Sequence, residues 1–220
     1  MDREQCVIEV LHVSKNFKNV QVLKDVSLRC ESGKIYGLVG HNGSGKTVLF
    51  KTICGFLSCD QGSVSVNGKV MGRDKDMLTE AGIIIEEPGF LRSWSAYRNL
   101  EFLYTLRNKK NKSHLFSVLR QVGLDPGLRR PVGKYSLGMR QRFALAQAIM
   151  EDPKILILDE PMNGLHKNGV KEIRELLLEM KKQNKLILLA SHNREDIQVL
   201  CDEVYEMEDG KLRKLMGQQL

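Results

Sequence analysis

The sequence predicts an α/β fold in which a mostly parallel sheet carries N-terminal antiparallel strands and an inserted α-helical lobe. Three apolar runs, at residues 35–39, 155–158 and 186–190, have the composition of strands buried on both faces of a parallel sheet. Stretches with apolar residues at helical spacing follow the first two runs. This alternation of strands with helices is typical of α/β proteins.

The first elements are short pieces in which apolar and polar positions alternate. Residues 7–11 and 22–28 predict strands, and residues 31–34 predict a turn before the strand at 35–39. A glycine-rich loop follows that strand directly.

Helical spacing starts near Lys46, and Gly55 is a suitable C-terminal stop for this helix. A short strand at 62–66 then ends in the Asn-Gly turn at 67–68. From about residue 88 to 150 the strand patterns vanish and apolar residues recur at helical spacing, among them Leu100, Leu103, Leu106, Leu115, Val118, Leu119 and Val122.

A chain of 220 residues with 42% hydrophobic and 28% charged residues has enough apolar material for one sizeable domain. We expect a single domain over residues 1–220, with residues 1–87 and 151–220 as its core and residues 88–150 as its helical subdomain. The longest apolar runs are strand-sized, and no signal-type stretch follows the N-terminus. We therefore expect a cytoplasmic chain, with any membrane role coming through a partner.

The five cysteines form no C-x-x-C pair and no cluster with histidine, so we expect reduced thiols and no cysteine-based metal site. The net charge of +7 has three interpretations, namely nucleic acid, an anionic membrane surface or no specific partner. The basic residues look spread along the chain, apart from short clusters such as Lys109-Lys110 and Arg129-Arg130. This favours a solvated surface, and we expect no nucleic-acid partner.

The loop after residue 39 matches the pattern G-x-x-x-x-G-K-[ST], and it stands between a predicted strand and a predicted helix. Its residues are Gly40, His41, Asn42, Gly43, Ser44, Gly45, Lys46 and Thr47. Glycine lets such a loop turn its backbone N–H groups inward to phosphate oxygens, and the helix N-terminus adds unpaired donors. We expect a P-loop that binds ATP, with Lys46 on the β- and γ-phosphates and Thr47 on Mg²⁺. The alternative is a glycine-rich turn with a surface lysine.

The strand at 155–158 ends in two carboxylates, Asp159 and Glu160. Asp159 lies at the C-terminal edge of the strand, where it can hold Mg²⁺ directly or through water. Glu160 points in another direction and is expected to polarise the attacking water as general base. The pair can also cap a turn before Pro161, but the upstream loop favours the catalytic interpretation.

A third segment, residues 135–142, reads Tyr-Ser-Leu-Gly-Met-Arg-Gln-Arg, and its serine lies 23 positions before Asp159. It resembles the signature of ABC ATPases, usually Leu-Ser-Gly-Gly-Gln followed by a basic residue, Gln and Arg. The resemblance covers essentially the whole chain and implies the ATP-binding subunit of an ABC transporter, with a RecA-like core. In that family the segment opens a helix, and Ser136 and the backbone at Gly138 would donate to the γ-phosphate held by a second ATP-binding subunit. Without the family, Ser136 is a helix N-cap residue.

Further positions match the family. His192 corresponds to the switch histidine that contacts the γ-phosphate, although a histidine after a strand is more often structural. Phe17 is placed where an aromatic residue usually stacks on adenine, and its alternative is a core phenylalanine. Residues 164–166 (Gly-Leu-His) occupy the D-loop, where the dimer partner is touched.

Departures from the family pattern indicate which branch of the family the chain resembles. Glu86 stands where the Q-loop normally has Gln, and we expect it to act as a catalytic and metal-site residue. His166 replaces the D-loop aspartate, and Leu137 and Met139 replace Gly and Gln of the signature. Together with the Glu-Glu-Pro run at 86–88, the segment at 135–139 looks like the branch of bacitracin- and lantibiotic-type exporters. The altered D-loop suggests slow turnover.

The resemblance implies an ATPase that powers a separate integral-membrane permease, on the inner face of the cell membrane, and exports peptide antibiotics or related amphipathic compounds. The permease would dock on the helical lobe near Phe90, Leu91, Trp94 and Tyr97, which equally fit a lobe core. One alternative is a soluble ABC ATPase without a transporter, acting in translation, repair or cofactor assembly. The other is a regulatory module that scarcely hydrolyses ATP, which Asp159 and Glu160 argue against.

Overall fold

The computed structural model describes residues 6–86 and 89–215, and it contains two sheets flanked by helices. The strands are β1 (Val7–Phe17), β2 (Val20–Glu31), β3 (Ile35–Val39), β4 (Gln61–Val66), β5 (Lys69–Val70), β6 (Ala81–Ile84), β7 (Ile155–Asp159), β8 (Leu186–Ala190), β9 (Glu203–Glu208) and β10 (Lys211–Leu215). The helices are α1 (Lys46–Ile53), α2 (Ala96–Tyr104), α3 (Lys112–Gln121), α4 (Leu137–Ile149), α5 (Lys167–Lys182) and α6 (Arg194–Leu200).

The six-stranded sheet has the order β10-β9-β3-β8-β7-β6, and all its neighbours are parallel except the pair β9–β10. The four-stranded sheet has the order β2-β1-β4-β5 and is antiparallel. The predicted α/β class, with its parallel sheet, N-terminal antiparallel strands and helical lobe, is confirmed.

Strand β1 is longer than the alternating pattern at residues 7–11 predicts. Its pairing with β2 shifts register between Val10 and Val13, and His12 between them has a φ of 52°. The irregularity interrupts the alternation of buried and exposed residues. The part of β1 that follows it therefore cannot be recognised from an alternating sequence pattern.

The core consists of two hydrophobic clusters on the two faces of the six-stranded sheet. Along β7, Ile155 and Ile157 belong to the cluster beneath the four-stranded sheet, whereas Leu156 and Leu158 belong to the cluster beneath the helical lobe. Both faces of the strand are therefore covered, which is why its sequence is continuously apolar.

The lobe is built from α2, α3 and α4, whose N-terminal N–H groups are capped by Ser95, Asn111 and Ser136. Leu106 is a correction to the predicted apolar face, because it follows the end of α2 and is 68% exposed. Residues 87 and 88, where the predicted core and lobe meet, lie outside the described residues.

Within the described ranges, none of the helices combines the length and apolar character that a bilayer crossing requires. The cysteines are all free, and burial raises the pKa of Cys54 and of Cys201 to about 12. These two thiols therefore stay protonated at neutral pH and are poor nucleophiles.

Helix α4 is fixed on the sheet edge by a close approach at Gly82. A Cβ atom at Gly82 would lie 2.2 Å from the backbone carbonyl oxygen of Ala148 and 2.6 Å from a side-chain carbon of Leu156. Only glycine lets β6 and the end of α4 come this close.

We expect Gly82→Ala to lower the free energy of unfolding by about 1–3 kcal/mol, because the new methyl group forces α4 away from the sheet. Urea unfolding followed by circular dichroism measures this change. Gly89→Ala is the control, since a Cβ at Gly89 meets nothing within 4 Å. Equal unfolding midpoints for the two variants would contradict the proposed packing constraint.

Candidate nucleotide-binding site

The phosphate loop joins the end of β3 to the start of α1. Gly40, Gly43 and Gly45 have φ values of 149°, 84° and 113°, which favour glycine. A Cβ at Gly40 would lie 2.2 Å from the carbonyl oxygen of Met207, whereas a Cβ at Gly43 would meet nothing within 4 Å. Gly45 is the N-cap of α1 and offers no side-chain cap, so the first turn keeps free N–H donors for a ligand.

Two side chains of this loop fit an anion. The Lys46 ammonium group donates to the carbonyl oxygens of Gly40 at 2.7 Å and His41 at 3.0 Å, and only 8% of the residue is exposed. The hydroxyl oxygen of Ser44 is buried and has no hydrogen-bond partner among the described residues. Within the described residues Lys46 has no carboxylate partner, and phosphate oxygens would satisfy both this buried cation and the orphaned hydroxyl.

Thr47 and Asp159 meet although 112 positions separate them. The Thr47 hydroxyl donates to a carboxylate oxygen of Asp159 at 2.8 Å. Thr47 lies in the first turn of α1 and Asp159 ends β7, so both stand at the carboxyl edge of the parallel strands. A hydroxyl beside a carboxylate is a pair of hard oxygen donors, which fits Mg²⁺.

Glu160 is held in an unusual backbone conformation. Its φ of 49° lies in the left-handed region, which is unfavourable for a residue with a side chain. Its N–H donates to the Ala190 carbonyl at 2.9 Å, and its carbonyl accepts from the Gln141 side-chain amide at 3.0 Å. Its carboxylate lies 2.8 Å from Nδ1 of His192. The structure thus brings the predicted general base and switch histidine together.

The loop that carries His192 is supported from behind by a network that sequence analysis missed. Asp196, which is buried, accepts two hydrogen bonds from the Arg174 guanidinium group, at 2.9 and 2.5 Å. The Ser191 hydroxyl donates to Asp196 at 3.3 Å and accepts from the Asn193 N–H at 3.1 Å. Ser191 is thereby fixed to α5 through α6.

The start of α4 packs against the D-loop of the same chain. The Ser136 hydroxyl accepts from the Met139 N–H at 3.2 Å, which confirms the N-cap. Leu137 is half exposed, and a Cβ at Gly164 would lie 2.5 Å from its side chain. A Cβ at Gly138 would lie 2.9 Å from the Gly164 carbonyl oxygen. These two glycines are therefore required by packing.

Glu86 lies beside the last turn of α1 in the described part. Its carboxylate pairs with the Lys51 ammonium group at 2.6 Å, its side chain is 62% exposed and its φ is 59°. A role in metal binding and catalysis stays a prediction. Glu87 and Pro88, which belong to the run used to narrow the resemblance, lie outside the described residues.

Phe17 is not a core residue, so that alternative is wrong. It ends β1, is 42% exposed and has the Lys15 ammonium group 5.7 Å from its ring centre. His166 is the N-cap residue of α5 and makes no side-chain cap bond. Adenine stacking by Phe17 and a dimer contact by His166 stay predictions.

The aromatic set of the lobe divides between core and surface. Phe90 packs on Phe143 with ring centres 4.9 Å apart, and Tyr97 packs edge-to-face on Phe116 at 5.2 Å. Leu91 is 43% exposed. Phe90 and Tyr97 therefore belong to the lobe core, whereas Leu91 is available to a partner.

A separate cavity of about 920 Å³ lies at the other end of β6 and β7. Its lining includes Leu78, Ala81, Leu103 and Ile155, and none of the phosphate-loop residues. This cavity is therefore distinct from the nucleotide site.

A glycine-rich loop, a strand-end acid pair and a capped signature helix on this fold define an ATP-binding cassette. The family model described as ABC transporter matches residues 23–163. The chain therefore belongs to the ABC transporter family of ATP-binding proteins, as the sequence resemblance predicted, and it is an ATPase that binds adenine nucleotide.

Similar proteins agree with this assignment, and a solved structure agrees with the fold. The uncharacterized ABC transporter ATP-binding protein YybJ of Bacillus subtilis (strain 168) is 39% identical over 206 residues, covering 94% of each chain. The bacitracin transport ATP-binding protein BcrA of Enterococcus faecalis is 38% identical, covering 94% of this chain and 68% of the relative. The dimeric structure of MJ0796, a bacterial ABC transporter cassette, has a TM-score of 0.85 at 20% identity, covering 96% and 99% of the two chains, and supports the fold.

We expect Asp196→Asn to lower the kcat of ATP hydrolysis about tenfold, with a smaller change in the KM for ATP. The loss of the buried carboxylate charge leaves Arg174 poorly compensated and loosens the Ser191–His192 loop, while the phosphate loop stays intact. Steady-state ATPase kinetics measure both constants, and a thermal unfolding curve monitors stability.

Glu195→Gln is the matched control, because Glu195 also pairs with Arg174, at 2.9 Å, but its side chain is 70% exposed. We expect this variant to retain the kcat of the native chain. Equal kcat values for the two variants would remove Asp196 from the support of His192.

Proposed function

We propose that the chain binds Mg-ATP, closes as a dimer around it and hydrolyses it to drive a separate integral-membrane permease. The observation that carries this proposal is the meeting of Thr47 with Asp159 at 2.8 Å, beside the Lys46 loop. The hydroxyl, the carboxylate and the ammonium group come from distant parts of the chain, and a triphosphate with its cation is the ligand that uses all three.

In the proposed complex the loop N–H groups and Lys46 hold the phosphates. The ammonium group needs only to exchange its carbonyl partners Gly40 and His41 for phosphate oxygens. Asn42, Gly43, Ser44 and Gly45 complete the cradle, and the orphaned Ser44 hydroxyl gains a partner there. Phe17, exposed at the end of β1, would stack on the adenine ring.

Thr47 and Asp159 are the residues that would hold Mg²⁺. The ion supplies positive charge that offsets the charge of the terminal phosphates. Glu86 is proposed to join these residues as a metal ligand and catalytic residue, and for this its carboxylate has to leave Lys51.

Hydrolysis in this proposal depends on Glu160 and His192. Glu160 accepts a proton from the attacking water, whose oxygen forms a bond to the γ-phosphorus as the bond to the ADP oxygen breaks. His192 contacts the Glu160 carboxylate at 2.8 Å and would orient it and the γ-phosphate. The left-handed backbone of Glu160, fixed by Ala190 and Gln141, keeps the carboxylate at the strand edge.

The dimer follows from the position of Ser136. Its hydroxyl, the Gly138 backbone and the exposed Leu137 stand at the surface start of α4, where a second copy or a related subunit can present ATP to them. Each nucleotide would then be bound by the Lys46 loop of one subunit and the Ser136 helix of the other. A monomer binds ATP but hydrolyses it poorly under this arrangement.

The cargo is proposed from the relatives. BcrA is named a bacitracin transport ATP-binding protein, and SrtF of Streptococcus pyogenes, 34% identical over 206 residues, a lantibiotic transport ATP-binding protein. We propose export of peptide antibiotics or related amphipathic compounds, with the chain peripheral on the inner face of the cell membrane. In this scheme residues 1–87 and 151–220 form the core, and residues 88–150 form the lobe whose exposed Leu91 meets the permease.

We expect Glu160→Gln to lower ATPase turnover at least about 100-fold, because the amide cannot accept the proton of water. Binding is retained, so ATP should hold the variant as a stable dimer. Phosphate release measures turnover, and size-exclusion chromatography with light scattering measures the dimer.

Glu175→Gln, an exposed carboxylate on α5, is the matched control and should keep full turnover. Lys46→Ala should lose both turnover and the ATP-dependent dimer. Equal rates for Glu160→Gln and the native chain would remove Glu160 from its proposed role.

A further inference from the structure

The helical lobe carries a strong positive charge, mainly because acidic residues are scarce in it. Residues 89–150 contain twelve Lys and Arg and two Asp and Glu, a formal net charge of +10. Of the totals of 34 and 27, this leaves 22 Lys and Arg and 25 Asp and Glu elsewhere, a net charge of −3. The basic residues are spread along the chain as expected, but the acidic residues are not, so the overall charge of +7 hides a separation of charge.

Most of this positive charge faces solvent, since ten of the twelve basic residues are exposed. The two acids of the lobe, already counted in its net charge, offset only a small part of it. The carboxylate of Glu101 pairs with the Lys110 ammonium group at 2.7 Å, and Lys110, together with Tyr97, lowers the pKa of Glu101. The carboxylate of Asp125 accepts the Gly127 N–H at 2.8 Å in a local turn.

Apolar side chains stand among these cations on the outer face of α2. The guanidinium carbon of Arg98 lies 4.5 Å from the centre of the Trp94 ring, and the Trp94 and Phe102 ring centres are 5.8 Å apart, edge-to-face. Arg98 and Phe102 are four positions apart and so share one face of the helix. Phe102 is 47% exposed, and Leu106, just beyond the end of α2, is 68% exposed.

Backbone hydrogen bonds bring further cations to the same place. The Val132 N–H donates to the Trp94 carbonyl at 2.8 Å, and the Gly133 N–H donates to the Arg92 carbonyl at 2.9 Å. The exposed arginines at 129 and 130, which closely precede Val132, therefore lie beside the Trp94 segment. We call the resulting surface the basic face: Arg92, Trp94, Arg98, Phe102, Arg129 and Arg130.

We propose that the basic face binds directly to the anionic phospholipid headgroups of a bilayer. Arginine and lysine clusters are attracted to the negative potential of such a surface. A partly exposed Trp beside exposed Phe and Leu side chains, set among cations, is typical of the headgroup region, where apolar groups enter the interface and the charges stay with the phosphates. The lobe would thus touch lipid as well as a permease.

The same features disfavour single-stranded nucleic acid as the occupant. Sequence-tolerant binding of single strands depends on aromatic faces that are free to stack on bases. Trp94 has Arg98 over its ring and Phe102 at its side, and the Phe116 ring carries the Lys112 ammonium group at 5.1 Å. These rings are therefore better suited to lie in an interface than to stack.

Co-sedimentation of the full chain with vesicles, in the absence of nucleotide, tests the proposal. We expect binding to vesicles of phosphatidylcholine mixed with phosphatidylglycerol, no binding to phosphatidylcholine alone, and weaker binding as salt is raised. Arg129→Glu combined with Arg130→Glu should lower the partition coefficient at least about tenfold, since each basic residue at such a surface contributes about fivefold. Phe102→Ser should also weaken binding.

Lys171→Glu combined with Lys182→Glu on α5 is the matched control, because it changes the net charge equally at exposed positions outside the lobe. We expect less than a twofold effect from it. Thermal unfolding verifies that each variant is folded, and Arg129→Gln with Arg130→Gln replaces the charge reversal if that variant does not fold.

Three results would overturn the proposal: equal binding to neutral and anionic vesicles, an equal loss in the control variant, or tighter binding of single-stranded DNA than of anionic vesicles at the same salt. The assay needs neither ATP nor a permease, so its failure is distinct from a failure of the proposed transport function. The ATPase rate of the Arg129 and Arg130 variant in solution should equal that of the native chain.

Discussion

The site depends on one constraint, which is that β3, β8 and β7 lie side by side and run in the same direction. Parallel strands present their carboxyl ends at a single edge, so the segments that follow them converge there. The phosphate loop follows β3, the acid pair ends β7 and the histidine loop follows β8. The hydrogen bond from Thr47 to Asp159 is the direct expression of this convergence.

Helix α4 links two regions with different tasks. It begins at Ser136, where a second subunit is expected, and its far end is locked to β6 by the close approach at Gly82. Between these points Gln141 holds the Glu160 carbonyl. Helix α4 therefore connects the expected subunit contact to the backbone of the proposed general base through a single element. The basic face lies on the same lobe, so the proposed lipid contact and the signature helix belong to one subdomain.

Features that depend on a short local pattern could be predicted from the sequence. The continuous apolar strand at β7, the phosphate loop before Lys46 and the cap at Ser136 were all predictable, because each is a short run with a physical reason of its own. The support of the histidine loop was not, since Asp196 and Arg174 meet across 22 positions without a recognisable spacing. Gln141 was visible only as part of a motif, and the full length of β1 was hidden by the irregularity at His12. The net charge of the lobe can be counted from the sequence, but the net charge of the whole chain does not reveal it.

The contact between Leu137 and Gly164 limits the order in which this protein can change. Any side chain added at Gly164 enters the space that the Leu137 side chain fills, and Gly164 also has a φ of 74°. On packing grounds, a larger residue at 164 is accommodated only after the residue at 137 has become smaller or its side chain has moved aside. If residue 164 is enlarged first, its new side chain and the Leu137 side chain compete for the same space. The signature and the D-loop, which are read as separate motifs, are in this respect one packing unit.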